Sequence, residues 1–388
     1  MASGNSNLGA AKTAKNDEFY TQYSDIEAEM NAYVEFNPDV FRDKTILLPC
    51  DDPEWSNFTK YFAANFDRFG LKKLISTSYA KGAGNKQLSL FEQESPLYDE
   101  DLHETHGKLF VLERDVDGDG VVDSDDIEFT GYLEGDGDFR SAEVCALRDE
   151  ADIIITNPPF SLFHDFISWI VDANKLFIAI GNLNAVKYVE VFPKLRSSEM
   201  WLGTTHPKRF RVPDGVSTKD VIVENGISYQ TFGNVCWFTN VDHGVRHEPM
   251  LLDTMAHNLK FNKKLQKKLK DKFGTVAYPH YANYDALEVP LAPCIPSDYD
   301  GVMGVPISFL DRHNPDQFDL LGMSGDLGWA TTECTFFRPP SDEVSALCRT
   351  RNRTWRVQKV YVNDDDGLPL VPIYDRLFIR RKKAGDDQ

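Results

Sequence analysis

Residues 152–160 read Asp-Ile-Ile-Ile-Thr-Asn-Pro-Pro-Phe, a short apolar run that ends in two prolines. Three consecutive β-branched residues, Ile153, Ile154 and Ile155, suit a strand buried on both faces, as in a parallel sheet. Neither proline can donate to a ladder, and each biases the residue before it toward extended backbone. The strand therefore stops at Thr156 and leaves the sheet as a stiff loop, Asn157-Pro158-Pro159-Phe160. Its Asn157 side-chain oxygen and Pro158 carbonyl are acceptors on a rigid mount, and Phe160 offers a flat apolar face. A plain Pro-Pro turn ending a strand would look the same from its backbone alone.

A strand-loop-helix-strand order repeats around this loop. Residues 45–49 read as a strand that runs into Cys50-Asp51-Asp52-Pro53. Phe58, Tyr61, Phe62, Phe66 and Phe69 fall at helical spacing behind Ser56, with Gly70 as the stop, and residues 73–77 follow as a strand. A strand over 152–156, a helix over 161–173, a strand over 175–180 and a helix over about 185–195 continue the pattern. Ser24-Asp25-Ile26-Glu27 has the form of a capping box at the start of an earlier helix. Residues 200–203 and 235–239 are expected to pair as a closing antiparallel hairpin around a long loop. The order predicts an α/β, Rossmann-like fold with a mostly parallel sheet, in which ligands bind beyond the carboxyl ends of the strands.

Charge divides the chain. Of the net −19, residues 1–245 contribute all, with 22 Lys/Arg against 41 Asp/Glu, while residues 246–388 carry 20 of each. Beyond His243 the alternation turns irregular and proline frequent, so a boundary is expected near 245, with an acidic insertion over about 80–130 in the first part. Basic residues of the second part come in groups: Lys263, Lys264, Lys267, Lys268 and Lys270, then Arg349, Arg351, Arg353 and Arg356, then Arg380 to Lys383. A phosphate footprint belongs there; a solvated helix face is the alternative for the lysine run. The first fifteen residues are small and polar and read as a flexible arm. No apolar run is long enough for a bilayer and no signal-peptide core is present, so a cytoplasmic protein is expected. Six scattered cysteines without a C-x-x-C pair argue against a disulfide framework or structural zinc. The histidines form no metal-binding cluster either.

Within the acidic stretch, Asp115-x-Asp117-x-Asp119-Gly120 continues to Asp123 and Asp126. That spacing matches a calcium loop, with hydrophobic Val122 in place. Asp where a longer Glu usually closes the loop shortens the reach. The two readings are a structural calcium and an acidic surface turn.

The loop at 157–160 looks like the catalytic loop of enzymes that methylate a planar nitrogen. The whole chain resembles the EcoRI-type adenine-specific DNA modification methyltransferases. The resemblance is carried by Asp17-Glu18-Phe19-Tyr20-Thr21-Gln22-Tyr23, Cys50-Asp51-Asp52-Pro53, Gly135-Asp136-Gly137-Asp138-Phe139-Arg140-Ser141, Asn157-Pro158-Pro159-Phe160-Ser161-Leu162-Phe163 and Gly301-Val302-Met303-Gly304-Val305-Pro306. It implies S-adenosyl-L-methionine as methyl donor, the N6 amine of adenine in duplex DNA as acceptor, and a cytoplasmic role in DNA modification; a monomer is expected, and a cognate restriction endonuclease is a partner the sequence itself does not show. It also implies a catalytic domain first and a C-terminal target-recognition region last, where Lys263, Lys264, Lys267, Lys268, Arg349, Arg351 and Arg353 are candidate DNA contacts.

Carried over by residue, Phe19, Tyr20 and Thr21 match the segment that closes over the cofactor. Cys50, Asp51 and Asp52 match the turn that holds its methionine part. Asp138 and Phe139 match the carboxylate and aromatic that take its adenine. The first turn lacks the usual glycine, and Ser76-Thr77-Ser78 stands where an acidic ribose ligand is usual. Asn157, Pro158, Pro159 and Phe160 are the expected catalytic residues, because an exocyclic amine shares its lone pair with the ring. Two acceptors on its hydrogens draw the nitrogen toward tetrahedral geometry, and Phe160 stacks on the extruded base. The loop alone leaves open an RNA base or a protein glutamine amide as substrate. A DNA-binding relative without activity and a calcium-dependent interaction module are the other readings.

Overall fold

The computed structural model describes residues 19–53, 56–80, 95–212, 221–339, 341–342, 345–346, 350, 359–363 and 369–382. The chain divides into two compact units, Met1–Gly244 and Val245–Gln388.

The first unit is built on strands β1 (Tyr20–Thr21), β2 (Thr45–Leu48), β3 (Lys73–Ser78), β4 (Lys108–Leu112), β5 (Glu128–Tyr132), β6 (Ile153–Thr156), β7 (Leu176–Asn182), β8 (Trp201–Leu202), β9 (Arg209–Arg211), β10 (Val221–Glu224), β11 (Ile227–Thr231) and β12 (Val235–Thr239). Eight of them form one sheet in the order β5-β4-β3-β2-β6-β7-β12-β8. The central β3, β2, β6 and β7 run parallel. All four residues of β2 and of β6 are buried, as expected for strands covered on both faces. The expected hairpin forms, with Phe238 opposite Leu202, but β12 also pairs with β7 and so lies inside the sheet. On the other flank, part of the acidic insertion supplies β4 and β5, both antiparallel to their neighbours. The sheet is thus a parallel centre with an antiparallel pair on each side, less parallel than the sequence implies, because hydrophobic alternation reports a strand and not its direction.

Alternation along the central strands sorts the core. Ile46, Leu48, Ile153, Ile155, Ile178 and Ile180 join Phe58, Tyr61, Phe62 and Trp237 in one buried cluster, while the residues between them face the other side. Ser56 starts the aromatic helix as expected, its Oγ accepting from Phe58 and Thr59 N. The helix is broken at Asn65, however, into Asn57–Ala64 and Phe66–Phe69. Asn65 Nδ2 donates to the Tyr61 carbonyl at 2.9 Å, competing for an acceptor the helix would use. Gly70 closes the second piece with φ 63°.

Two other expectations shift. Helix Tyr23–Phe36 begins one residue before Ser24, with Gln22 at its cap and no side-chain capping bond, because the chain comes straight out of β1. The helix expected over 185–195 is instead a 3-10 turn, Leu183–Lys187, and a short helix, Phe192–Arg196. Pro193 is tolerated only in a helix's first turn, so the run restarts there.

A second sheet of the same unit has the order β1-β9-β11-β10. Asn225 and Gly226, both left-handed, turn β10 into β11. Buried Glu29 anchors the chain leaving β8: its carboxylate accepts from the backbone and hydroxyl of both Thr204 and Thr205 and from Tyr33 Oη.

The second unit holds β13 (Leu287–Glu288), β14 (Met303–Val305), β15 (Phe318–Met323) and β18 (Leu377–Arg381) in the order β13-β14-β18-β15, and a separate pair, β16 (Val360–Asn363) with β17 (Pro369–Ile373). Inside it Arg376 grips Glu288 with two bonds, 3.0 and 2.8 Å, and Tyr281 Oη donates to the same carboxylate. Helix Lys263–Phe273 forms where its sequence places it, capped by Asn262 and ended by left-handed Gly274, with Leu265 and Leu269 buried.

Close approach decides one glycine. Gly137 has φ 85°, and a Cβ there would strike the Ser78 carbonyl at the end of β3, with Gly107 Cα 3.2 Å away. Gly137→Ala is expected to lower unfolding free energy by about 3 kcal/mol. Gly226→Ala, at φ 79° with open space around it, should cost about 1 kcal/mol. Urea denaturation of the two variants checks the contrast.

Candidate active site

The parallel centre has strand order 3-2-6-7, so connections leave β2 and β6 in opposite directions. A crevice opens at such a switch point, beyond the carboxyl ends of the two strands. Cys50-Asp51-Asp52 follow β2, and Asn157-Pro158-Pro159-Phe160 follow β6.

Asn157 is half-buried and Pro158 buried. The side-chain amide of Asn157 donates to the Phe19 carbonyl, which fixes which end of the side chain is which. Its oxygen is then buried with no hydrogen-bond partner. An orphaned acceptor of this kind costs about 1–3 kcal/mol of folding free energy, and a ligand N–H would recover it. Phe160 is only 9% exposed. Phe19 stacks on it at 5.5 Å between centroids and 30° between planes, and Phe210 and Phe232 meet it edge-on at 6.0 and 5.6 Å. The ring expected to receive a base is therefore covered by Phe19, which a base stacking on that side must displace.

The first turn is glycine-like without a glycine. Cys50 has φ 68°, the left-handed conformation that side chains ordinarily disfavour, and its N–H donates to Thr77 Oγ1 at 3.4 Å. Asp51 is buried. Ser56 Oγ donates to its Oδ1 at 2.7 Å, and Thr156 Oγ1 lies 2.5 Å from its Oδ2. Burial pushes the Asp51 carboxyl up to about 7, against the hydrogen bonds from Thr156 and Ser56 that lower it. Each of its two oxygens thus meets a protein hydroxyl. Asp52 is half-buried on the same turn.

Thr21, in β1, is buried, and its Oγ1 has no hydrogen-bond partner. Asn57 Nδ2 holds its carbonyl at 2.6 Å, one residue from Ser56, so Thr21 sits over the first turn. Tyr20 is half-buried beside it.

Asp138 and Phe139 lie in the loop that packs on the end of β3. Arg140 clamps the Asp138 carboxylate through two bonds, 2.9 and 2.6 Å, and holds it below the usual carboxylate range. The Phe139 ring is 2% exposed, against Phe166 and Trp169. Its ring contacts within the protein are thus with the core.

Of the acidic loop, Asp115, Asp117 and Asp126 bring carboxylate oxygens within 4.8 Å of one another; Asp119 and Asp123 are outside that group. Asp126 also accepts from the N–H groups of Val116, Asp117 and Asp123. In the second unit Lys263, Lys264 and Lys267 are exposed along one helix. Lys268 is turned inward, its ammonium on the Pro290 carbonyl at 2.9 Å, and burial holds its pKa down. Its ammonium is thus engaged on the protein, while the other three side chains are exposed. Arg349, Arg351 and Arg353, with Arg356 and Lys383, lie outside the described residues, as do Asp17, Glu18 and the N-terminal arm.

Sequence reasoning named Ser56 and Thr156 only as a helix start and a strand end, and did not reach Phe210 and Phe232. The Arg209-Phe210-Arg211 alternation signals one inward ring, but its neighbour could not be named without the second sheet. Thr156 reads only as the last residue of a strand.

A parallel α/β core with an Asn-Pro-Pro-Phe loop at its switch point, and an orphaned acceptor in that loop, defines an α/β methyltransferase of planar amines. The sequence model of the family described as "Adenine-specific methyltransferase EcoRI" matches residues 7–382, and the chain belongs to that family. It is 40% identical to the type II methyltransferase M.EcoRI of Escherichia coli over 81% of this chain and 88% of the relative. It is 31% identical to the type II methyltransferase M.MpnI of Mycoplasma pneumoniae over 80% of this chain and 83% of the relative. Against M.MgeORF184P of Mycoplasma genitalium the identity is 33%, over 80% and 84%. No solved structure matches. Among the described residues no helix is long and apolar enough to cross a membrane. The family implies S-adenosylmethionine as donor. The residues fit such a group: the turn after β2 is left-handed at Cys50, and Thr21, held through its carbonyl by Asn57, has a buried hydroxyl with no partner.

Proposed function

We propose that the chain methylates the N6 amine of an adenine extruded from duplex DNA, with Asn157 Oδ1 and the Pro158 carbonyl accepting the two amine hydrogens. The chain is a DNA adenine methyltransferase. The observation that carries the residue assignment is the buried Asn157 oxygen with no partner while its amide nitrogen is tied to Phe19. Bound S-adenosylmethionine supplies an electrophilic methyl. The protein's part is to orient the amine, to hold its hydrogens so that the nitrogen pyramidalises, and to keep water from the acceptors. Cys50, Asp52, Thr21 and Asp138 are assigned to hold the donor, and Phe160 is assigned as the ring on which the base stacks once Phe19 moves aside. Neither acceptor can take up a proton, so the proton released passes to solvent.

Asn157→Ala should lower kcat by about two orders of magnitude, roughly 3 kcal/mol of transition-state stabilisation, with the dissociation constant for S-adenosylmethionine unchanged. Tritium transfer from labelled donor to DNA, RNA and protein measures turnover and substrate class together. Label in RNA or glutamine with none in DNA rejects the reading, as does full turnover by the variant.

The second unit is assigned to target recognition, supported by its neutral balance beside an acidic first unit and by the exposed Lys263, Lys264 and Lys267. Replacing the three with alanine should flatten the slope of log affinity for duplex DNA against log salt by about 3, read by fluorescence anisotropy. The type II class of the relatives supports a cognate restriction endonuclease, and a monomer in the cytoplasm completes the proposal. Calcium is assigned a structural role at Asp115, Asp117 and Asp126, supported by their converging oxygens. Added calcium should then raise the melting temperature of the wild type and leave that of Asp115→Asn/Asp117→Asn unchanged; equal curves remove the ion.

A further inference from the structure

A single hydroxyl at the end of β6 faces two acceptors. Thr156 Oγ1 lies 2.7 Å from the Pro49 carbonyl and 2.5 Å from Asp51 Oδ2. A threonine has one proton to give, and a carbonyl oxygen can only accept. If Asp51 were ionised, one of these two short contacts would set an oxygen lone pair against another with no hydrogen between them. One proton shared between two acceptors would serve each poorly, whereas a second proton on Asp51 lets Thr156 accept from Asp51 and donate to Pro49. The other carboxyl oxygen is already supplied by Ser56 Oγ at 2.7 Å, and Ser56 in turn accepts from Phe58 N–H at 3.0 Å. A continuous chain of donors results, from the Phe58 amide through Ser56, Asp51 and Thr156 to the Pro49 carbonyl.

We propose that Asp51 is a positioning residue that acts as an uncharged acid: its carboxyl proton bonds to Thr156 and fixes the strand end from which Asn157 projects. The inference rests on the methyltransferase reading of the site but differs from it in what Asp51 does, since a neutral carboxyl engaged on both oxygens is not a ligand for the donor's amino group. Thr156 is the residue before Asn157, and Ser56 begins the helix that follows the first turn. The chain of bonds therefore couples the turn after β2 to the loop after β6 across the switch point.

The surroundings agree. Asp51 is 7% exposed, and the groups packed on it are neutral: Ser56 and Thr59 from the helix, Ser76 from β3, Thr156 from β6 and the carbonyl of Pro49. Thr59 and Ser76 hydroxyls donate to its backbone carbonyl. Among the described residues the charged group acting on it is Asp52, which disfavours ionisation further, in the same direction as burial. The folded value, about 7, lies above that of an aspartate in an unfolded chain, about 3.9. The folded form then holds the proton more tightly. The stability it contributes is complete below the unfolded value and is lost as pH rises through about 7.

The test compares wild type with Asp51→Asn and Thr156→Val, both close to isosteric. An asparagine can accept from Ser56 through Oδ1 and donate to Thr156 through Nδ2, as the protonated acid does. In cofactor-free protein, the melting temperature of Asp51→Asn relative to wild type should climb steadily from pH 5 to pH 7 and level off above it. Asp51→Asn should keep kcat within threefold of wild type. Thr156→Val, which has no hydroxyl to hold, should lower kcat at least tenfold. Neither should change the dissociation constant for S-adenosylmethionine more than threefold by calorimetry. A constant difference in melting temperature across that pH range overturns the uncharged state. A tenfold or greater loss of S-adenosylmethionine affinity in Asp51→Asn overturns the positioning role in favour of direct contact with the donor. The melting curves need no activity, so a wild type that fails to methylate DNA would sink the functional reading and leave this inference separately decided.

Discussion

Parallel pairing of β2 with β6 is the constraint on which the site depends. Ile46 lies against Ile153 and Leu47 against Ile154, and this register sets the Thr156 hydroxyl beside the Pro49 carbonyl, 107 residues away along the chain. Both strands are buried along their whole length, so a slip of one residue would turn every side chain to the wrong face and move the strand ends by about 3.3 Å. The two loops of the site would then separate by more than a hydrogen bond can span. Apolar packing thus enforces a polar geometry it does not itself contain.

Buried polar groups fall into two sorts. Glu29 is surrounded by donors from Thr204, Thr205 and Tyr33, and Glu288 by Arg376 and Tyr281. Such groups hold the fold, because removing one partner would strand the other in a low dielectric. Asn157 Oδ1 and Thr21 Oγ1 have no partner. One lies in the loop after β6 and the other in β1, and each keeps a free bonding capacity that a ligand could meet. The Phe19 ring over Phe160 serves the same end differently, covering apolar surface that a base would otherwise leave wet.

Acidity is segregated along the chain. The negative excess lies in residues 1–245, part of it in the segment that builds β4, β5 and the Asp115–Asp126 turn. The second unit is neutral overall and can present Lys263, Lys264 and Lys267 without a strong opposing field of its own.

Much of this was legible in the residues themselves. Ile153 to Phe160 announced a buried strand and a rigid acceptor loop, because β-branched residues and proline constrain their own backbone. Ser56 and Gly70 marked their helix ends for the same local reason. Asn65 broke that helix through a side-chain bond that no hydrophobic pattern registers, and Pro193 cut another short. The direction of β4, β5 and β12 required knowing which strands they would meet. The same holds for the site. That Asn157 and Pro158 could accept an amine's hydrogens follows from their chemistry, but that the Asn157 oxygen is unpartnered depends on where Phe19 lies. Phe139 packs on Phe166 and Trp169, and Lys268 reaches the Pro290 carbonyl, contacts that no local pattern in the sequence registers. Residue type and spacing set what each group can do, since backbone preference and hydrogen-bonding capacity act over a few neighbours. Which capacities are already spent was decided only when distant segments packed together, since burial and partnership belong to the whole fold.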